Sequence, residues 1–141
     1  MRIMAIDYGD AHTGIAISDP TGLLAGFTTV INAYRPDRVT EQIALLAKEH
    51  GVERLVLGHP INMDGTRGPR SEKAQAMRQL LEETTGLPVV LWDERRTTID
   101  AHQILMSSGK NAKKRKKVVD AVAASLILEG YLTYLKTPPE G

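Results

Sequence analysis

Three acidic positions far apart in the chain carry the most chemistry: Asp7 closing the run Arg2-Ile3-Met4-Ala5-Ile6, the pair Asp93-Glu94 after Leu87 to Trp92, and Asp120 within Val118 to Leu135. Carboxylates gathered within a few ångströms resist joint ionisation unless a cation neutralises them. Hard oxygen donors of this kind select Mg2+ or Mn2+. A pair of such ions activates water and stabilises the leaving oxygen in phosphodiester cleavage, so hydrolysis of a nucleic-acid backbone is the chemistry expected of a converged trio. Each group alone has a plainer reading. Asp7-Tyr8-Gly9 fits a turn, Asp93-Glu94-Arg95-Arg96 fits a solvated run with local ion pairs, and Asp120 suits the positive end of a helix. Only their joint placement makes a site.

The cations are unevenly spread. Six of the 18 Lys and Arg residues fall in one octet: Lys110, Lys113, Lys114, Arg115, Lys116 and Lys117. The formal net charge of +1 therefore conceals an acidic body, 12 cations against 17 anions or −5, and one dense basic segment. A segment of this kind binds a polyanion by counterion release. A solvated charge run is the alternative, and adjacency to Asp120 favours nucleic acid. Arg67 and Arg70 lie at the start of a helix, whose free amides favour an anion. Arg95 and Arg96 suit a phosphate, or neutralise Asp93 and Asp100. Asp64-Gly65 reads as a turn, with a ligand role for Asp64 as the alternative. With four Tyr, one Trp and one Phe, base stacking is not expected to dominate, and contacts should run mostly to backbone and shape. His12 and His102 lie in no metal spacing and, like His59, are expected to have no catalytic role, the alternative being a phosphate contact or a proton transfer. The chain has no Cys, which excludes a thiolate zinc site, a cysteine nucleophile and a disulfide scaffold.

The elements that must position these groups follow from periodicity and turn chemistry. Strands are expected at Arg2 to Asp7, Gly14 to Asp19, Leu23 to Val30, Val52 to Leu57 and Leu87 to Trp92. Between Pro36 and His50 the residues Val39, Ile43, Leu46 and Ala47 recur at helical spacing, and Gly51 supplies a stop. A loop from Gly58 to Gly68 leads to a helix from Pro69 to Thr85, closed by Gly86. Thr97 or Thr98 caps a helix through roughly Ser107, the basic segment follows, and Val118 to Leu135 forms the last helix. The order βββαβαβαα predicts an α/β domain with a mixed five-stranded sheet and helices on both faces. Ligands of such sheets bind beyond the carboxyl ends of the strands, where Asp7 and Asp93-Glu94 fall. The 141 residues are expected to form one domain over 1–136 with a flexible tail at 137–141. No apolar run approaches the roughly 18 residues of a membrane span, and the acid at Asp7 interrupts any signal-peptide core, so a cytoplasmic location is expected.

Four motifs lie in this order along nearly the whole chain: Ile6-Asp7-Tyr8-Gly9 with Gly14 to Asp19, Gly58-His59-Pro60 with Asn62-Met63-Asp64-Gly65, Asp93-Glu94-Arg95 with Thr97-Thr98, and Asp120-Ala121 with Ala123-Ala124. Together they resemble the pre-16S ribosomal RNA nuclease family (YqgF-type, Holliday-junction-resolvase-like). The resemblance implies a ribonuclease-H-like fold and a divalent-metal-dependent nuclease. Its catalytic, metal-ligating carboxylates correspond to Asp7, Glu94 and Asp120. It also implies trimming of the 5′ end of precursor 16S ribosomal RNA, resolution of Holliday junctions, or both. Two positions depart from the family pattern: Asp10-Ala11-His12-Thr13 stands where a basic pair is common, and Gly58-His59-Pro60 where Gly-Leu-Pro is usual. Readings from other classes are an actin-like nucleotide-binding domain, which clamps its nucleotide between two domains where this chain supplies one, and a noncatalytic RNA-binding ribosome-assembly factor, which has no need of the acidic trio. Monomer and homodimer both stay open; symmetric cutting of a junction needs two active sites.

Overall fold

The computed structural model describes residues 2–9, 11–19, 25–59, 69–93 and 112–136. These form β1 (Ile3–Asp7), β2 (His12–Ser18), β3 (Ala25–Asn32), α1 (Pro36–His50), β4 (Arg54–His59), α2 (Pro69–Thr85), β5 (Val89–Asp93) and α3 (Ala112–Lys136). The expected mixed sheet is present, in the order β3-β2-β1-β4-β5. β1 pairs antiparallel with β2 and parallel with β4, β2 is antiparallel to β3, and β4 is parallel to β5. Only a strand buried on both faces can be apolar throughout, and Ile3-Met4-Ala5-Ile6, all buried, takes the central place.

Strand alternation sorts the core into two layers. Met4, Ile6, Ile15, Ile17, Leu55, Leu57 and Val89 pack with Val39, Ile43 and Ala47 of α1 and Ala74, Met77 and Leu81 of α2. Ile3, Ala5, Ala16, Val56 and Trp92 pack on the other side with Ala124, Ile127, Leu128, Tyr131 and Leu132 of α3. Arg54 Nη1 donates to the Tyr131 hydroxyl at 2.9 Å, tying α3 to the start of β4. Among the described residues no helix is long and apolar enough to cross a membrane.

Both α1 and α2 have the bounds expected from their periodicity. The strands after them begin later than expected, β4 at Arg54 and β5 at Val89. The cause at β4 is the end of α1. Gly51 is left-handed (φ 66), and the Val52 amide reaches back to the Ala47 carbonyl at 2.8 Å. That Schellman closure takes Val52, though buried, out of the ladder. β2 and β3 also differ from expectation, running over His12–Ser18 and Ala25–Asn32, and α3 starts at Ala112 rather than Val118. Ala, Lys and Arg are strong helix formers. The segment lacks an apolar stripe, and hydrophobic periodicity reports burial rather than helicity.

Candidate active site

Asp7 is the last residue of β1 and is half-buried. Alternation puts it on the α3 face, with Ile3 and Ala5. Its partner on β2 is Gly14. On β4, Ile6 pairs with Leu57, so the next position in register beside Asp7 is Gly58. Both glycines are buried in the sheet, and neither projects a side chain over the α3 face. The carboxylate thus stands at the carboxyl end of the central strand between two bare positions. Strand-interior glycine costs stability and often marks the close approach of a ligand or backbone. The pair Gly14 and Gly58 is a signal that sequence reasoning missed, because the pairing that sets Gly58 beside Asp7 is long-range.

A tight connection holds this pairing. A Cβ on Gly9 would lie 2.4 Å from the His12 carbonyl oxygen, so only glycine admits the chain reversal. His12, two residues before Gly14 and on the same face, places Nδ1 2.6 Å from Asn32 Oδ1. An amide oxygen only accepts, so Nδ1–H donates in this contact. Trp92 shares this face at the end of β5. Its packing against α3 rests on Gly130, where a Cβ would come within 3.2 Å of Trp92 Cζ2.

The remaining site residues divide between helices and the undescribed segments. Asp120 was expected near the start of the last helix. Because α3 begins at Ala112, Asp120 falls in its third turn, four residues before buried Ala124. That is too deep for attraction to the helix N-terminus to account for it. Lys113, Lys114, Arg115, Lys116 and Lys117 were expected ahead of that helix and instead form its first turns. Arg70 is the second residue of α2. The side chains of Asp120, Arg70 and these five residues lie outside the described structure. So do Glu94, Arg95, Arg96, Arg67, Asp64, His102 and Lys110 altogether, the helix expected from Thr97 or Thr98 to Ser107, and the tail at 137–141. Among the described residues there is no group of three His, Asp or Glu fit to hold a metal ion. Asp7 is therefore the one member of the trio whose surroundings are defined.

On the opposite face of the same sheet end lies a cavity of about 420 Å³, lined by Tyr8, by Tyr34 and Pro36 at the start of α1, and by Lys73, Met77 and Leu80 of α2. Sequence reasoning missed this feature as well. Tyr8 and Tyr34 are separated by 26 positions, and the fold brings them together.

Residues 1–134 match the RuvX family, described as Holliday junction resolvase. The chain is 45% identical over 134 residues to a protein of Halothermothrix orenii provisionally named pre-16S rRNA nuclease, covering 95% of this chain and 96% of that one. A Bacillus subtilis protein of the same name is 44% identical over 137 residues, 96% of this chain and 99% of its own length. In three dimensions the chain is similar to T. thermophilus RuvC in complex with a Holliday junction substrate, with a TM-score of 0.62, 16% identity and 97% of each chain covered. It is also similar to the Fowlpox virus resolvase in complex with Holliday junction DNA, with a TM-score of 0.57, 14% identity, and 97% of this chain and 100% of that one covered. At these identities the structural likeness speaks for the fold, which is the expected ribonuclease-H-like one.

Proposed function

The chain belongs to the RuvX family, and from that premise we propose that it is a nuclease whose hydrolysis of phosphodiester bonds depends on Mg2+ or Mn2+ held by Asp7, Glu94 and Asp120. Its substrate is nucleic acid. The relatives' shared name supports precursor 16S rRNA, cut in the maturation of its 5′ end, as the substrate. The junctions bound by the structural neighbours support four-way DNA as the second candidate. The observation that carries the reading is the aspartate ending an otherwise apolar central strand, with glycine at both neighbouring positions. No core role accounts for an acid there, and a glycine on either side adds no side chain to that face.

When bound, the cation supplies Lewis-acid polarisation of the phosphate and a source of hydroxide at neutral pH. The rest is the work of the chain. β1 is paired on both sides, so Asp7 is oriented by a rigid ladder rather than a loop. The bond to Asn32 fixes the orientation of the His12 ring on the Asp7 face. Arg67, Arg70, Arg95, Arg96 and the cations from Lys110 to Lys117 attract the sugar-phosphate backbone. The first turn of α3 contains no acid, and its Lys113 and Lys114 oppose the positive end of the helix dipole. A local preference broken in this way is expected where function requires it.

The test is side-by-side cleavage of a 16S rRNA precursor and a synthetic four-way junction with Mg2+ or Mn2+. Asp7→Asn should lower the rate roughly a thousandfold, a loss of several kcal/mol of transition-state stabilisation, and leave nucleic-acid binding largely intact. Undiminished cleavage by rigorously purified Asp7→Asn protein would sink the assignment.

A further inference from the structure

The cavity beside Tyr8 has no part in metal-assisted hydrolysis, yet it opens next to the residue that does. Asp7 and Tyr8 are consecutive, with Cα atoms about 3.8 Å apart, and strand alternation sends them to opposite faces. A strand whose phosphate lies at Asp7 therefore has its adjoining nucleotide within reach of the cavity. The lining is that of a site for a flat aromatic group. It joins two phenol rings with the Met77 thioether and the Leu80 side chain, and carries one ammonium, that of Lys73. Aromatic faces stack on bases of any sequence, and thioethers pack favourably against rings. At 80% exposed, Tyr34 serves no core. Its place at the cavity wall gives that exposed ring a purpose.

We propose that this cavity receives one unstacked nucleobase of the substrate strand beside the phosphate to be cut, with Tyr8 and Tyr34 as its stacking surfaces and Lys73 for the adjoining phosphate. The site thereby selects single-stranded or flipped-out nucleotide at that position, whichever sugar the strand carries. This rests on the nuclease reading for the location of the strand, and the aromatic lining argues for the base independently.

The experiment uses the whole chain in EDTA, so that binding is read without cleavage. A 12-nucleotide single strand carries 2-aminopurine at each position in turn, with an abasic site at the same position as its control. One position should show strong quenching on binding. Removing the base there should lower affinity by about 5- to 150-fold, the range of one base–aromatic stack. Tyr34→Ala should abolish both the quenching and the penalty for the abasic site, while Tyr34→Phe keeps both. Melting curves verify that the exposed position leaves folding unchanged. Equal affinity for abasic and intact strands in the wild-type chain, or an abasic penalty that persists undiminished in Tyr34→Ala, overturns the proposal. Parallel cleavage assays with Mg2+ separate the two readings. Cleavage without a base effect removes the cavity's role and leaves the nuclease, and a base effect without cleavage does the reverse.

Discussion

Gly130 is the position where α3 seats on the end of β5, and its replacement by alanine gives a sharp test of that docking. A Cβ there would lie 3.2 Å from Trp92 Cζ2 and 3.6 Å from Cε2 and Nε1. Carbon pairs are comfortable at about 3.5–4.0 Å, so the new methyl finds two good contacts and one too short by about 0.3 Å. Trp92 has little freedom to retreat. It is buried, and its ring centroid is 5.8 Å from that of Tyr131 and 5.9 Å from that of Tyr134. Displacing it costs about 1–3 kcal/mol as overpacking, against a gain of about 1 kcal/mol for alanine over glycine within a helix. Gly130→Ala should therefore be neutral to destabilising by up to about 2 kcal/mol. In a Trp92→Phe background the atom nearest the new methyl is gone, and the same substitution should stabilise by about 1 kcal/mol. The assay is urea unfolding followed by far-UV circular dichroism, because Trp92 is the sole tryptophan and its fluorescence disappears in two of the four proteins. Additive effects across the cycle, within about 0.5 kcal/mol, would refute the reasoning and mean that α3 does not rest on this ring.

Other outcomes follow from the same geometry. Gly9→Ala should cost about 1–3 kcal/mol, since its methyl meets the His12 backbone carbonyl. Under conditions where the variant is still folded, cleavage should fall as well, because the displaced hairpin carries Asp7 out of register with Gly14; full activity in a destabilised Gly9→Ala protein would show that this pairing is dispensable. Lys113→Glu with Lys114→Glu should raise thermal stability, by about 0.3–1 kcal/mol for each charge brought into harmony with the helix dipole, and weaken nucleic-acid binding at low salt. The plot of log affinity against log salt should flatten by about 0.7–0.9 for each phosphate that the variant no longer neutralises, and an unchanged slope would make those lysines bystanders.

How much of this was legible in the residues differs from element to element. α1 and α2 were readable to their ends because an apolar stripe, a proline at the start and a glycine after the last turn are local signals. Asp7 was readable because an acid after four apolar strand residues stands out against any core role. The start of α3 was not, since its first residues contain no apolar stripe, and with it went the position of Asp120 relative to the helix end. The starts of β4 and β5 slipped because Val52 and Leu87 look like strand residues. The first is committed to the α1 cap, and the Leu87 amide bonds to Thr85 Oγ1 at 3.1 Å.

By itself the sequence determined the order of the described elements, the mixed sheet, the family and the acid at the end of the first strand, all of which depend on patterns spanning a few residues or on motifs in fixed order. Only the tertiary structure decided what surrounds that acid. Strand pairing set Gly14 beside Asp7 and Gly58 next to it on the other flank, alternation sent Asp7 and Tyr8 to opposite faces, and the packing of α1 and α2 gathered Tyr8, Tyr34 and Lys73 around one cavity. Those neighbours are 7 to 65 positions away from Asp7 or Tyr8 along the chain. Their meeting is a product of register and helix docking, which arise from the sum of many weak contacts and leave no local mark in the residues concerned.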